Sequence, residues 1–350
     1  MILIYGVTGY TGELIVEEAQ RRGLTPILAG RDAAKVAAIG ARTGLATRVF
    51  PVDAPDLSGV TVLLNVAGPF SRTARPLVDA CLRAGVHYLD VTGEIATFEG
   101  LAARDAEARA AGVLLLPGVG FDVVPSDCLA LHLKERLPTA THLRLAIGSS
   151  GGAGLSHGTV TTAAENLDAG GAVRQGGRIV KVPTAYKTRQ VDFGRGPRTV
   201  VSIPWGDVST AWHTTHIPDI EVYASFPPAA IRVMQASNWL GPVLRMPAVK
   251  RMIQARIDAA PAGPTPEQRE NSRAYVWGEV EDAEGRRAEA RLTCPEGYTL
   301  TARTAVEAAR RVEEGVGRVG FGTPAGVFGA GFVLGFEGVS REDLAPGTSA

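Results

Sequence analysis

The sequence holds few cysteines: three among 350 residues, at Cys81, Cys128 and Cys294. They are far apart and odd in number, which argues against a disulfide framework or a CxxC metal knuckle and fits a reducing compartment. An excess of charge is also missing. The 36 Lys and Arg residues balance 36 Asp and Glu, and no basic run stands out. No global field therefore draws the chain to nucleic acid or to an anionic membrane. No clear Ser/His/Asp order stands out, so acyl transfer has no support. His213 and His216 are the one close histidine pair, and no Asp or Glu at ligand spacing completes a metal site around them. No metal is expected. Repeats and low-complexity segments are absent. The start, Met1-Ile2-Leu3-Ile4-Tyr5-Gly6, lacks a basic region and has too short an apolar run for a signal peptide, so a cytoplasmic protein is expected. Val319 to Phe336 carries no charge, but six of its eighteen residues are glycine and Pro324 interrupts it. It reads as a buried, closely packed segment rather than a membrane span, or else as the lining of a site for an apolar substrate.

What is present is alternation. Strand-length apolar runs at Met1–Tyr5, Pro26–Ala29, Arg48–Val52, Val60–Val66, His87–Val91 and Val113–Leu116 alternate with helical patterns near Glu13–Arg22, Ala33–Arg42, Arg75–Ala84 and Ala96–Ala111. Parallel βαβ units require this order, and near-continuous apolar strands suit a sheet covered on both faces. The expected fold is α/β: an N-terminal Rossmann domain with a doubly wound parallel sheet over residues 1–124, then an α+β domain with a mostly antiparallel sheet over residues 125–350. The Gly-rich tail is free to return to the first domain. Ligands of a doubly wound sheet bind beyond the carboxyl ends of its strands.

The first of those ends reads Gly6-Val7-Thr8-Gly9-Tyr10-Thr11-Gly12. Glycine lets the chain turn tightly and lets backbone N–H groups approach a pyrophosphate, and the following helix adds its dipole. The spacing is GxxGxxG rather than GxGxxG. Its position after the first strand and before a helix predicts nucleotide binding by Gly6, Thr8, Gly9, Tyr10, Thr11 and Gly12. The second strand ends in Leu28-Ala29-Gly30-Arg31-Asp32, with Lys35 in the next helix. Where NAD sites usually place an acid, Arg31 offers a planar fork to a 2′-phosphate, so NADP(H) is the expected cofactor. Asp32 reads as the cap of the next helix. Asp53, read as closing the third strand, is placed to accept from the adenine amino group. Asn65, Ala67, Gly68 and Pro69 follow the fourth strand, where small residues let the chain pass near the nicotinamide.

Several stretches together resemble the saccharopine dehydrogenase-like oxidoreductases: the Gly6–Gly12 turn, Ala29-Gly30-Arg31, Asn65–Phe70, Ala84–Asp90 with Thr92-Gly93-Glu94, and Gly118–Asp127. Ser156–Thr159, Ile203–Asp207, Ile220–Tyr223 and Gly322–Ala325 are similar to one branch, the trans-acting enoyl reductases. The resemblance implies a Rossmann domain joined to an α+β domain and an NADP(H)-dependent reaction, without fixing the substrate.

From about residue 125 the alternation fades. Pro125–Leu137 reads as a helix, Leu143–Ile147 as a strand, Gly148–Gly154 as a loop and Gly158–Asp168 as a helix. Short strands follow at Val180–Tyr186, Arg189–Phe193, Thr199–Pro204 and Ile220–Phe226. The last is read as a candidate edge strand for a homodimer. Ala229–Ala260 reads as mostly helical and Pro261–Arg273 as a loop. Ala274–Glu281 and Arg287–Cys294 form a hairpin, and Thr301–Glu314 is an amphipathic helix. Hydride transfer needs positioning and a proton source; Tyr88, Asp90, Asp122, His157 and Asp207 are the candidate donors. The leading expectation is reduction of an activated C=C bond in an apolar, lipid- or polyketide-like substrate, free or carrier-bound. Two alternatives remain. One is reductive amination of a keto acid, with Arg72, Arg75 or Lys187 holding the carboxylate. The other is a non-catalytic NADP(H)-binding module.

Overall fold

A computed structural model describes residues 1–151, 170–239 and 263–345. The chain splits into two compact units: Met1–Val124 with Gly297–Phe328, and Pro125–Glu296 with Gly329–Ala350.

The first unit opens with β1 (Ile2–Tyr5), α1 (Tyr10–Arg21), β2 (Ile27–Gly30), α2 (Ala33–Thr43), β3 (Thr47–Val49) and β4 (Val62–Asn65). It continues through α3 (Phe70–Ala84), β5 (His87–Asp90), α4 (Ile95–Ala102), α5 (Asp105–Ala110) and β6 (Leu114–Leu116). The helix expected over Ala96–Ala111 is thus two, broken at Ala103 and Arg104, where Arg104 turns to pair with Asp79 and Glu107. Among the described residues the sheet has seven parallel strands in the order β15-β6-β5-β4-β1-β2-β3, where β15 is Gly320–Phe321. Side chains alternate across it. Leu3, Leu63, Tyr88 and Leu115 face one side, in a cluster with Leu77, Val78, Leu101 and Ala108.

The second unit begins with α6 (Val124–Arg136) and β7 (His142–Ser150), so Gly148–Ser150, expected in a loop, is strand. β8 (Gly171–Gln175) and β9 (Arg178–Val182) form a hairpin across Gly176-Gly177, both at positive φ, as a two-residue turn demands. The sequence reading missed β8. β10 (Thr188–Asp192), β11 (Pro197–Ser202), α7 (Asp207–Thr215), β12 (Asp219–Ser225) and α8 (Pro228–Ser237) follow. Within the stretch expected to be loop, α9 (Pro266–Glu270) is held by a capping box between Thr265 and Gln268. Next come β13 (Arg273–Glu281) and β14 (Arg287–Pro295). The sheet is mixed and mostly antiparallel, in the order β10-β11-β12-β7-β13-β14-β16, with β16 at Ser340–Leu344 and the β8–β9 hairpin joined to β12. β12 is therefore not the expected edge: β11 and β7 flank it.

Before β15 the chain returns to the first unit as α10 (Gly297–Glu314), and after it as α11 (Pro324–Phe328). α10 packs on α1 and on β4, and Arg22 on the end of α1 pairs with Glu307 at 2.8 Å. β15 covers β6, and Phe321 N donates to Asp105 Oδ1 at 2.8 Å. The uncharged tail is thus packing: Phe321, Phe332 and Phe336 are buried, and a short 3₁₀ turn spans Phe332–Gly335. Phe328 is only partly buried and Leu334 is exposed. Among the described residues no helix is long and apolar enough to cross a membrane.

Candidate functional site

The three glycines of the first turn are needed for different reasons. Gly6 sits at φ +97°, and a Cβ on it would lie 2.7 Å from Ala67 N. A Cβ on Gly12 would lie 2.3 Å from Gly6 O. Both glycines are required by the fold itself. Gly9 is not: its φ is −91°, and a Cβ there would meet only Gly6 O at 3.6 Å, an ordinary contact. The missing side chain at Gly9 instead leaves the N-terminus of α1 bare, since Gly9 is its N-cap and supplies no side-chain acceptor. A bare helix end with nearby hydroxyls at Thr8 and Thr11 is a cradle for an anion. Tyr10 is held edge-on to Tyr298, with ring centroids 5.2 Å apart. The turn fits a dinucleotide.

Beside it, Tyr5 at the end of β1 stacks on Phe50 with centroids 5.2 Å apart, and its hydroxyl donates to Phe50 O. Burial raises the Tyr5 pKa, and the charges of Arg31 and Asp53 also act on it, so the ends of β1 and β2 and the loop after β3 converge. Arg31 is exposed and makes no hydrogen bond or ion pair among the described residues. Asp32 Oδ1 accepts from Lys35 N at 3.1 Å and caps α2, as its sequence position predicts. Lys35 Nζ lies 3.9 Å from Asp32. Asp53 corrects one expectation: β3 stops at Val49, so Asp53 lies in an exposed turn and does not close the strand.

Asn65 is fully buried and engaged by protein. Its Nδ2 donates to Thr73 Oγ1 and to Tyr88 OH, both at 3.1 Å, and its Oδ1 accepts from Ala67 N at 3.0 Å. It holds the Ala67–Pro69 loop and leaves Ala67, Gly68 and Pro69 to approach a ligand. Tyr88, also fully buried, donates to Asp90 Oδ2 at 2.9 Å. Asp90 Oδ1 accepts from Thr92 N and Gly118 N at 3.0 Å each, tying the exits of β5 and β6 together. Burial pushes the Asp90 carboxyl up to about 6 and the Tyr88 hydroxyl well above its ordinary value. Sealed inside this chain of hydrogen bonds, Asn65, Tyr88 and Asp90 position the rim.

Asp122 differs. It lies on the turn after β6, half-buried, with its carboxyl against Gly93, where a Cβ would come within 3.1 Å of Asp122 Oδ2. It has no hydrogen bond among the described residues, and burial pushes its pKa up to about 7. An acid that is half-protonated near neutrality is suited to proton transfer. Asp207 belongs to the second unit, fully buried in the first turn of α7. His157 lies outside the described residues. Among the described residues no cluster of His, Cys, Asp or Glu could hold a metal. Lys187 pairs with Glu221.

Sequence reasoning assigned no role to Glu94. Its carboxylate accepts from Phe70 N and Ser71 N, both at 2.8 Å, and so caps α3. The signal was Pro69: a helix starting behind proline has no side-chain cap of its own and needs an acceptor from elsewhere.

Residues 2–116 match the family described as the saccharopine dehydrogenase NADP binding domain. The chain is similar to a trans-acting enoyl reductase of Mycobacterium ulcerans, 27% identical over 217 residues, which are 56% of this chain and 52% of that protein. A trans-acting enoyl reductase of Mycobacterium leprae is 32% identical over 149 residues, 39% of this chain and 36% of that protein. The chain thus spans about half or less of the length of the curated relatives it matches. Its fold is that of the apo saccharopine dehydrogenase (L-Glu forming) from Saccharomyces cerevisiae, at a TM-score of 0.67 and 12% identity over 98% of this chain and 99% of that one. The parallel sheet of the first unit is thus Rossmann-like, and residues 2–116 within it are similar to an NADP-binding domain.

Proposed function

We propose that the protein is an NADP(H)-dependent oxidoreductase that reduces an activated carbon–carbon double bond of an apolar enoyl compound. The observation that carries this reading is Asp122: an acid poised near pH 7 on the turn after β6, at the same sheet edge as the glycine cradle. NADPH, when bound, supplies the hydride. The bare end of α1 takes the pyrophosphate, and Arg31 with Lys35 takes the 2′-phosphate. Asp122 delivers the proton that completes the reduced product and is reprotonated from solvent. The enoyl class is supported by the names of the similar mycobacterial proteins. The reductive-amination reading is weakened because Lys187, one candidate carboxylate clamp, is already paired with Glu221.

The test is NADPH oxidation with 2-enoyl thioesters of increasing chain length, run beside lysine plus 2-oxoglutarate. Apolar recognition should raise affinity by up to about 0.8 kcal/mol per CH₂. Asp122→Asn should lower kcat by about 10²- to 10⁴-fold and leave the Kd for NADPH unchanged. Because protonated Asp122 is the active form, its contribution should be present below pH 7 and be lost as pH rises through about 7. The Asn variant should lack that limb. Turnover of the amino-acid pair alone would replace this reading with C=N chemistry, and tight NADPH binding with no turnover would favour a non-catalytic module.

A further inference from the structure

The carboxyl edge of the parallel sheet presents two helix N-termini, and the chain treats them in opposite ways. α1 begins behind Gly9, an N-cap with no side chain to offer. α3 begins behind Pro69, equally without a cap of its own, but there Glu94 reaches over from the loop after β5. Phe70 N donates to Glu94 Oε1 and Ser71 N to Oε2, each at 2.8 Å, and Thr97 Oγ1 donates to Oε2 at 3.3 Å. The backbone of Glu94 is also fixed, because its carbonyl accepts from Thr97 N and Phe98 N in the first turn of α4. A helix N-terminus carries roughly half a positive charge and several unbonded N–H groups. At α3 an internal carboxylate already holds them; at α1 the N-cap residue supplies no side-chain acceptor.

The two ends are held close to one another. Thr73 Oγ1 donates to Ala67 O at 2.6 Å, Asn65 Oδ1 accepts from Ala67 N, and Gly6 packs against that same Ala67. β4 and β5 lie on the side of β1 away from β2, so a dinucleotide with its 2′-phosphate at Arg31 and its pyrophosphate at the glycine turn would extend toward β4 and β5, after which Glu94 is fixed.

We propose that Glu94 is a specificity-determining residue for the coenzyme. It withholds the α3 end from phosphate, so that the pyrophosphate has one register, and it sets a fixed negative charge on the nicotinamide side that favours the cationic oxidised ring over the neutral reduced one. This rests on the NADP(H) reading. The phosphates, riboses and adenine are common to both forms of the coenzyme, so Arg31 and Lys35 act on both alike. A carboxylate near the ring acts on their ratio.

Calorimetric titration of NADP⁺ and of NADPH into the wild-type protein, Glu94→Gln and Glu94→Asp separates the possibilities. Glu94→Gln keeps the size and removes the charge; it should weaken NADP⁺ by about three- to tenfold and NADPH by less than about twofold. A tenfold change in that ratio shifts the potential of the bound two-electron couple by about 30 mV. Glu94→Asp keeps the charge and shortens the reach, so it should keep the ratio while lowering Tm. Equal loss of both nucleotides in Glu94→Gln would make Glu94 a loop support only and overturn the inference, as would an unchanged ratio. A wild-type protein that binds neither nucleotide would remove the coenzyme reading itself.

Discussion

In the parallel sheet, β1, β2, β4 and β6 are three or four residues long and buried on both faces. In the mixed sheet, β13 and β14 run nine residues each, and along β14 every second residue is only partly buried. A strand covered on both faces has nowhere along its length for a polar group, so polar chemistry collects where the chain leaves the sheet. A long strand with one wetter face carries charges along it. Glu279, 4% exposed, lies 2.8 Å from both Arg144 and Arg189 and 3.9 Å from Arg287, in a lattice that spans several strands. The same residue types are thus placed differently: in the first unit they gather at the strand ends, and in the second they lie along the strand faces and hold the sheet.

The largest expected effect tests the strand-end half of that contrast. Gly9→Val should abolish NADPH binding, a loss on the order of a hundredfold or more, in a protein with unchanged circular dichroism and Tm. Gly12→Val should fail to fold, because its Cβ would sit 2.3 Å from Gly6 O. If both variants merely lose stability, the turn is scaffold and the contrast collapses. Next in size, Glu279→Ala should cost up to about 3 kcal/mol in denaturant unfolding, by taking the nearly buried carboxylate from Arg189 while Arg144 and Arg287 keep Glu281, and should leave NADPH affinity untouched. A large loss of affinity there would show that the charge lattice does more than hold the sheet. The smallest is Arg31→Ala, which should remove about ten- to a hundredfold of NADPH affinity, leave NADH affinity unchanged, and matter less at high salt. Equal loss of both nucleotides would mean that Arg31 holds the adenine or the fold.

What the sequence made legible is what neighbours in the chain decide. The glycine turn, Arg31 after β2 and the Asp32 cap depend on residues within a few positions, and so do the β13–β14 hairpin and the helix caps. Asn65, Tyr88 and Asp90 were visible as polar residues at strand ends. That they form one sealed network depends on β4 and β5 lying side by side, which brings Asn65 opposite Asp90. Glu94 meets α3 from 24 residues away, so nothing local announces it. The apolar tail was ambiguous in a different way: its composition suits a greasy pocket and a packed interior equally, and the structure buries Phe321, Phe332 and Phe336 while leaving Phe328 partly buried and Leu334 exposed.

The return of α10 and β15 to the first unit has a consequence for how the protein is made. The 172 residues from Pro125 to Glu296 must be synthesised before the helix that packs on α1, and the strand that covers β6, exist at all. At typical ribosomal speeds of about 5–20 residues per second, the nascent Rossmann sheet waits roughly 10–35 s with β6 as an open edge and the α1 face uncovered. During that interval it is a natural client for chaperones, and a message truncated near residue 296 would yield a chain that never closes its nucleotide-binding domain.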